Sequence, residues 1–269
     1  RLPWLKPGPR VRIPPSPPLI SLMNSVFFEI HSGLPREGPG DTASTLRALR
    51  SVRGLPQKPD VLDVGCGPGA QTLVLARETG GTVTAVDNHV PFLDDLRGRA
   101  AAAGLADRIR PLEASMFDLP FADASFDLVW SEGAIYQMGF DNGLRSWRRF
   151  LRPGGSVAVT EISWLRDDRP RELADFWQAE YPGMRSVAGN LAAIRRCGYG
   201  TAGHFILPDS CWWDSYYGPI LEKLPRLRDK HRGDAEALAV LDLETVEIDL
   251  FRKYSSHYGY VFYVMGRTD

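Results

Sequence analysis

The sequence predicts an α/β domain built on a mostly parallel β-sheet, with helices on both faces and an antiparallel last strand. Short apolar segments alternate with helical segments over residues 61–163, the pattern of βαβ units with right-handed crossovers. The apolar segment "YGYVFYVMGR" (258–267) follows the last predicted helix, and with no crossover helix after it, it predicts an antiparallel strand. We therefore expect one domain over 21–269, with its core at 41–163 and in the last strands.

Composition excludes several functional classes. Hydrophobic residues make up 43% and charged residues 24% of the 269 residues, which is ordinary for a globular protein. With a formal net charge of -1, the sequence lacks the excess of basic residues that is typical of nucleic-acid binders. It contains no run of about 20 apolar residues, which a membrane-spanning helix would need. Three widely spaced cysteines, Cys66, Cys197 and Cys211, argue against a disulfide framework or a metal site and favour the cytoplasm.

The first 40 residues divide into a tail and a cover. Residues 1–20 are rich in proline and arginine, and this proline density predicts a disordered tail without the apolar core of a signal peptide. Residues 21–40 predict a helical cover, because 21–31 places its apolar residues on one helical face. A Gly/Pro loop follows, and Asp41 or Thr42 then caps a helix.

The elements between residues 54 and 163 alternate regularly. Glycine and proline clusters mark their ends. We predict strands at 61–65, 82–87, 109–115, 126–133 and 156–163, helices at 70–80, 89–105 and 143–151, and a tight turn "RPGG" at 152–155.

Beyond residue 163 the sequence predicts helical additions. Helices are expected at 169–181 and 186–199, a strand at 200–208, and a long helical insertion at about 210–254. Segments after the fifth strand cover the carboxyl ends of the strands in this fold class, where ligands bind. The insertion also offers a surface for a homodimer.

The stretch "VLDVGCGPGA" (61–70) predicts a ligand-binding loop between a strand and a helix, which places backbone N–H groups and a helix N-terminus beside a ligand. Gly65 allows a sharp turn, Gly67 leaves room for the ligand, and Gly69 allows close approach of a helix. The third glycine comes one residue early for a dinucleotide loop, and Pro68 removes a phosphate donor. The loop is therefore poorly suited to a pyrophosphate.

Two acids beside this loop indicate the ligand. Asp63 precedes the loop, where its charge would attract an ammonium group and repel a pyrophosphate. Asp87 ends the next predicted strand, the position from which an acid holds ribose hydroxyls. The ligand then combines a cationic amine with a ribose, as S-adenosyl-L-methionine does.

Together with "VTAVD", "LPFADASFDLVWSEG" and "FLRPGGSVAVTE", this loop makes residues 40–163 resemble the class I S-adenosylmethionine-dependent methyltransferases, particularly the small-molecule types 11 and 25. The resemblance implies a Rossmann-like, seven-stranded sheet and S-adenosyl-L-methionine as cofactor. It also implies a cofactor-binding set: Asp63, Gly65, Cys66, Gly67, Gly69, Asp87, Asn88, Ser115, Met116 and Ser131.

Within that set, the family's usual adenine-binding acid is replaced by Ser115. Its hydroxyl can accept a weaker hydrogen bond, and Met116 can pack on the adenine face. Arg36 lies in the Gly/Pro loop, which is either a solvent loop or a lid. In a lid, Arg36 would suit the cofactor's carboxylate through a bidentate pair.

Methyl transfer requires alignment and exclusion of water, and a base only if the acceptor loses a proton. Glu132, His31 and Tyr136 are the candidate bases, while Tyr136 and Trp164 are candidates for an apolar acceptor pocket. The expected function is methyl transfer to a small-molecule acceptor. "SEGAIY" stands where amino-methylating enzymes carry an "NPPY"-like signature, which disfavours nucleic-acid bases.

Two alternatives remain open. The first is a non-catalytic S-adenosylmethionine-binding protein, against which the intact loop and both acids argue. The second is an NAD(P)-dependent oxidoreductase, against which the glycine spacing argues.

Overall fold

A computed structural model describes residues 26–268; the tail predicted over 1–20 lies outside them. This part of the chain forms one eight-stranded sheet in the order β3-β2-β1-β4-β5-β8-β7, with β6 beside β5. The strands are β1 Asp60–Val64, β2 Thr82–Asp87, β3 Ile109–Glu113, β4 Phe126–Ser131, β5 Leu151–Trp164, β6 Arg185–Ser186, β7 Tyr199–Ile206 and β8 Tyr258–Arg267.

The sheet is parallel from β3 to β5 and antiparallel around β8. Strand β8 pairs antiparallel with β5, from Ser156↔Gly266 to Trp164↔Tyr258, and antiparallel with β7 on its other side. The predicted antiparallel last strand is therefore confirmed. The sheet has one strand more than predicted, because the chain between two helices pairs for two residues with the end of β5.

Helices pack on both faces of the sheet, as predicted. They are α1 at 26–31, α2 Thr42–Ser51, α3 Ala70–Thr79, α4 Val90–Ala102, α5 Phe140–Arg148, α6 Arg171–Glu180, α7 Val187–Arg196, α8 Ser210–Trp212, α9 Gly218–Lys230 and α10 Ala235–Tyr254. Neighbouring residues of β1 show the two faces: Val61 packs in one core cluster with α3 and α4, and Leu62 packs in the other with α5 and α7. This is the period-two alternation of a strand buried on both sides.

Local capping explains several helix ends. Asp41, rather than Thr42, caps α2, since its carboxylate accepts a hydrogen bond from Ser44 N at 2.6 Å. Gly80 ends α3 in the left-handed conformation, with φ of 64°, as its sequence position predicts.

The predicted turn at 152–155 is not a separate element. Pairing between β4 and β5 jumps from Phe126↔Leu151 to Leu128↔Ser156, so residues 152–155 form an irregularity inside β5. Gly154 supplies the positive φ of 75° that this backbone needs. The prediction was wrong because paired strand continues on both sides of the glycines.

The helical additions cover the carboxyl-terminal edge of the sheet. The predicted insertion at 210–254 consists of α8, a π-helical turn at Trp213–Tyr217, α9 and α10. Among residues 26–268, no helix combines the length and apolar character that crossing a membrane requires.

Candidate active site

A cavity of about 900 Å³ lies where the parallel strands end, the usual ligand position in an open α/β sheet. Gly65 follows β1, Asp87 ends β2, Ala114 follows β3 and Glu132 follows β4, and all four line the cavity. We call the part lined by Glu37, Gly65–Pro68, Gln71, Asp87, Asn88, Ser115 and Met116 the loop end. We call the part lined by Tyr136, Trp177, Glu180, Tyr181, Trp212, Tyr216, Glu244, Glu247 and Tyr260 the aromatic end.

The three glycines of the loop adopt backbone conformations that other residues avoid. Gly65, Gly67 and Gly69 have φ of 69°, 53° and 84°, in the left-handed region. A Cβ on Gly65 would clash with the Cβ of Ala134, and a Cβ on Gly69 would clash with Leu96 of α4. Gly69 thus allows the close helix approach predicted for it, and lies behind the loop rather than on the cavity wall.

Asp87 ties the glycine loop to the end of β2. Its carboxylate accepts hydrogen bonds from Gly67 N at 2.9 Å and from His89 N at 2.9 Å. The side chain also lines the cavity, with Asn88 next to it. The acid is therefore positioned both to hold the loop and to accept a further hydrogen bond from a ligand.

Asp63 lies behind the loop with 0% exposure. Its carboxylate accepts hydrogen bonds from Thr72 Oγ1 at 2.6 Å and Gln71 Nε2 at 3.4 Å. Burial, opposed by the Thr72 hydrogen bond, raises the pKa of Asp63 to about 7. Gln71, which lines the cavity, connects Asp63 to the ligand wall; sequence reasoning assigned neither Gln71 nor Thr72.

The serines assigned to the cofactor have different surroundings. Ser115 and Met116 line the loop end, and Met116 Cε lies 3.6 Å from where a Cβ on Gly65 would stand. Ser131 is fully buried and donates a hydrogen bond to Val64 O at 2.8 Å. Ser131 thus joins the ends of β4 and β1, outside the cavity lining.

Arg36 and Glu132 form a buried ion pair across the site. Arg36 Nη1 donates to Glu132 Oε2 at 2.8 Å, while Thr45 Oγ1 and Trp130 Nε1 donate to Oε1 at 2.7 Å and 2.9 Å. Both members of the pair line the cavity. The Gly/Pro loop is therefore fastened to the end of β4, a pairing between residues 96 apart that no sequence spacing indicates.

His31 and Tyr136 are placed differently. The buried His31 ring bonds Phe27 O through Nδ1 at 2.8 Å and Tyr216 OH through Nε2 at 3.0 Å. Since a carbonyl only accepts, Nδ1 carries a proton and donates it to Phe27 O. Tyr136 is 37% exposed and lines the cavity, with its ring edge-on to Tyr181 at 6.1 Å.

Trp164 is not part of this cavity wall. Its ring lies 6.5 Å from that of Tyr258 and beneath the guanidinium of Arg169 at 4.5 Å. The sequence-based prediction that Trp164 lines an acceptor pocket was wrong for this cavity, because the side chain is buried against Tyr258 and is not among the lining residues.

Glu37 is a cavity residue that the sequence analysis did not identify. Its Cγ lies 3.0 Å from where a Cβ on Gly67 would stand. Within the described chain, both carboxylate oxygens are buried and lack a hydrogen-bond partner. Burial, together with the charge of Asp87, raises the pKa of Glu37 to about 8. The sequence feature that could have identified Glu37 is its position next to Arg36 in the Gly/Pro loop.

The aromatic end combines ring faces with carboxylates. Trp212 stacks on Tyr260 with ring centroids 5.3 Å apart, and Tyr217 donates a hydrogen bond to Glu247 Oε1 at 2.8 Å. The many aromatic residues in the last third of the sequence had indicated that some of their rings would line the site. The glutamates were missed, because nothing local distinguishes them from a solvated helix face.

Comparisons with known proteins agree with this geometry. Residues 61–155 match the family described as "Methyltransferase domain". "Methyltransferase GfsG" of Streptomyces halstedii is 42% identical over 103 residues, 38% of this chain and 37% of that protein. A malonyl-[acyl-carrier protein] O-methyltransferase of Pseudescherichia vulneris is 38% identical over 120 residues, 44% of each protein. The chain thus matches less than half the length of these two relatives.

The fold extends beyond the family match. A methyltransferase structure from Geobacter sulfurreducens, solved with S-adenosyl-L-homocysteine, superposes with a TM-score of 0.77 at 21% identity. The alignment covers 90% of this chain and 98% of that one. The α/β fold predicted from the sequence is therefore confirmed over most of the chain.

Proposed function

We propose that this chain, whose residues 61–155 belong to the class I S-adenosylmethionine-dependent methyltransferase family, transfers a methyl group from S-adenosyl-L-methionine to a small-molecule acceptor. S-adenosyl-L-homocysteine is the second product. The observation that carries the proposal is the meeting of Gly65, Gly67 and Asp87 on one wall of a cavity that continues into the aromatic end. Cofactor and acceptor can then share one enclosed space.

The residues at the loop end suit this cofactor. Gly67 offers a wall without a side chain, and Asp87 has spare acceptor capacity for the ribose hydroxyls. Glu37 brings two buried oxygens without hydrogen-bond partners in residues 26–268, which suit the cofactor's ammonium group. Ser115 and Met116 supply the adenine contacts.

The bound cofactor supplies a methyl group activated by a positive sulfur. The chain's own contribution is alignment of the acceptor and exclusion of water. Three hydrogen-bond donors already hold Glu132, so we assign it and Arg36 to positioning the cover over the site. His31 positions the Tyr216 hydroxyl, and Tyr136 is the candidate base that lines the cavity.

The fold alone does not decide the activity. A structure named as the [4+2]-cyclase SpnF superposes with a TM-score of 0.70 at 19% identity. The names of other relatives state acceptors as different as malonyl-[acyl-carrier protein] and geranyl diphosphate. Cofactor binding and methyl transfer are therefore tested in separate experiments.

The first experiment is calorimetric titration of S-adenosyl-L-homocysteine into the protein and two variants. Asp87→Asn should weaken binding at least about tenfold, since a charge-assisted hydrogen bond to the ribose is lost. Asp107→Asn removes an exposed acid outside the cavity and should leave affinity unchanged. Equal affinities for all three proteins would contradict the cofactor site.

Turnover is measured by transfer of labelled methyl groups from S-adenosyl-L-methionine to a panel of acceptors. Tight cofactor binding without transfer to any acceptor would favour the non-catalytic alternative. Fluorescence of co-purified NADH would favour the oxidoreductase. The expected homodimer and cytoplasmic location stay predictions, checked by sedimentation equilibrium and by fractionation of the source cells.

A further inference from the structure

The walls of the aromatic end carry negative charge and aromatic faces. Three acidic side chains, those of Glu180, Glu244 and Glu247, line this end. Among the described residues that line the whole cavity, Arg36 is the one cationic side chain. Its guanidinium pairs with Glu132 at 2.8 Å. Such a wall attracts cations and repels anions, because low surrounding dielectric strengthens both effects.

One face of α10 delivers two of these carboxylates. Val240, Leu243, Glu244 and Glu247 all line the cavity, at the i, i+3, i+4, i+7 spacing of a single helical face. The first two positions are apolar and the last two are acidic. The carboxylates are thus held at fixed positions on a helix rather than on a loop.

Ring faces complete the same space. Tyr136, Trp177, Tyr181, Trp212, Tyr216 and Tyr260 line it. Glu247 Oε1 accepts a hydrogen bond from Tyr217 OH at 2.8 Å, and the ring of Tyr217 lies 5.1 Å from that of Tyr216, so this carboxylate lies close to the ring faces. Aromatic faces bind ammonium groups through their quadrupoles, and most strongly when water is excluded.

We propose that the methyl acceptor is an amine that is cationic in water, and that the aromatic end binds its ammonium group between the ring faces and the carboxylates of Glu244 and Glu247. The inference rests on the proposed function. It goes further by assigning the chemical class of the acceptor and the residues that select it.

The reaction balances without a further reactant. For an ammonium acceptor, a carboxylate of the α10 pair takes the role of base in place of Tyr136: it accepts one proton from the bound ammonium, which exposes the nitrogen lone pair. That lone pair forms the new N–C bond as the C–S bond breaks, and the C–S electron pair stays on sulfur. The products are the methylated ammonium and the neutral thioether, and the carboxylate returns its proton to solvent after release.

Other acceptor classes fit this wall less well. A phosphate or carboxylate acceptor at the aromatic end would face three acidic side chains, while the guanidinium of Arg36 is already paired with Glu132. An apolar alkene would bring neither a positive charge nor a hydrogen-bond donor to the acidic side chains of this wall. Both classes are included as outcomes of the test.

The binding test uses the protein saturated with S-adenosyl-L-homocysteine and two ligands of equal shape. Choline carries a quaternary ammonium, and 3,3-dimethylbutan-1-ol replaces its nitrogen with carbon. We expect choline to bind at least about tenfold more tightly. Equal affinity of the two ligands would overturn the proposal.

Variants of α10 test whether its carboxylates cause the preference for choline. The double variant Glu244→Gln, Glu247→Gln should lose the preference for choline while retaining affinity for S-adenosyl-L-homocysteine within about twofold. Glu236→Gln is the matched control, since Glu236 lies on the same helix, is exposed and is not in the cavity lining. If the double variant does not fold, the single variants Glu244→Gln and Glu247→Gln replace it, each with a smaller loss of preference expected. A preference retained in the folded variant would overturn the assignment.

The turnover test uses acceptors of matched size: N,N-dimethylbenzylamine, benzyl alcohol, benzoate and styrene. Formation of S-adenosyl-L-homocysteine with the amine, and at least about tenfold less with the others, is expected. Faster turnover of the alcohol, benzoate or styrene would overturn the proposal. Loss of S-adenosyl-L-homocysteine binding itself would instead contradict the cofactor assignment, so the two failures are distinguishable.

Discussion

Glu37 is a buried acid whose chemistry depends on what occupies the loop end. Its side-chain carbons pack over Gly67. Burial and the charge of Asp87 raise the pKa of Glu37, whereas the charges of Lys223 and Arg99 lower it. Desolvation outweighs these cations, so protonation of the side chain is favoured. A ligand ammonium would reverse that balance, because a cation in contact with the carboxylate stabilises its charged form.

The first residue-scale prediction concerns stability without cofactor. The pKa of Glu37 is raised to about 8 in the folded chain from 4.5, so the folded state holds a proton that the unfolded state loses. Its contribution to stability is present below the unfolded pKa and is lost as pH rises towards 8, by at most about 1.4 kcal/mol per pH unit. Glu37→Gln should reduce this fall.

Urea unfolding at pH 5.5, 6.5 and 7.5 measures the effect. Asp63 and Glu161 have raised pKa values of about 7 and about 8 and act in the same direction, so part of the slope remains. Glu113→Gln changes an exposed acid and should leave the slope unaltered. If the free energy of unfolding falls equally steeply with pH in the wild type and in Glu37→Gln, Glu37 is not protonated in the folded protein.

At the scale of elements, the site depends on how α3 and α4 meet the glycine loop. Gly69 precedes α3 in the left-handed conformation, and Leu96 of α4 occupies the space that a Cβ there would need. Two requirements, one conformational and one steric, coincide at this residue. Gly80 at the other end of α3 has only the first, since nothing lies within 4 Å of its Cβ position.

Gly69→Ala should therefore destabilise the protein more than Gly80→Ala. We expect about 2–4 kcal/mol for Gly69→Ala, from left-handed strain plus overpacking, and about 1–2 kcal/mol for Gly80→Ala from strain alone. Equilibrium unfolding in urea gives both values. Adding Leu96→Ala to Gly69→Ala should make the two changes less than additive, and strict additivity would exclude the steric contact.

At the scale of the whole molecule, the cavity is closed by segments from both ends of the chain. Helix α1 and the Gly/Pro loop approach from one side, while α8 to α10 approach from the other. Ser215 Oγ donates to Gly40 O at 2.8 Å, and Lys223 Nζ donates to Ser32 O at 2.7 Å. A ligand that contacts the loop end and this cover should therefore stabilise the molecule as a unit.

Thermal unfolding tests that coupling. At a hundredfold excess over its Kd, S-adenosyl-L-homocysteine should add about 2.7 kcal/mol of stability, which raises Tm by about 5–10 °C for a domain of this size. Asp87→Asn should lose most of the shift at the same ligand concentration, and Asp107→Asn should keep it. An unchanged Tm in the wild-type protein would contradict ligand binding at the closed site.

The sequence alone determined the order of strands and helices apart from β6, the antiparallel last strand, the glycine loop and the acid at the end of β2. These are local properties: periodicity, turn residues and a short motif. Tertiary structure decided the pairing of Arg36 with Glu132, the exclusion of Trp164 from the cavity, and the positions of Glu37, Glu244 and Glu247 on its wall. Such contacts join residues far apart along the chain, and side-chain burial, which sets their charge state, exists only once the cover has closed over the sheet.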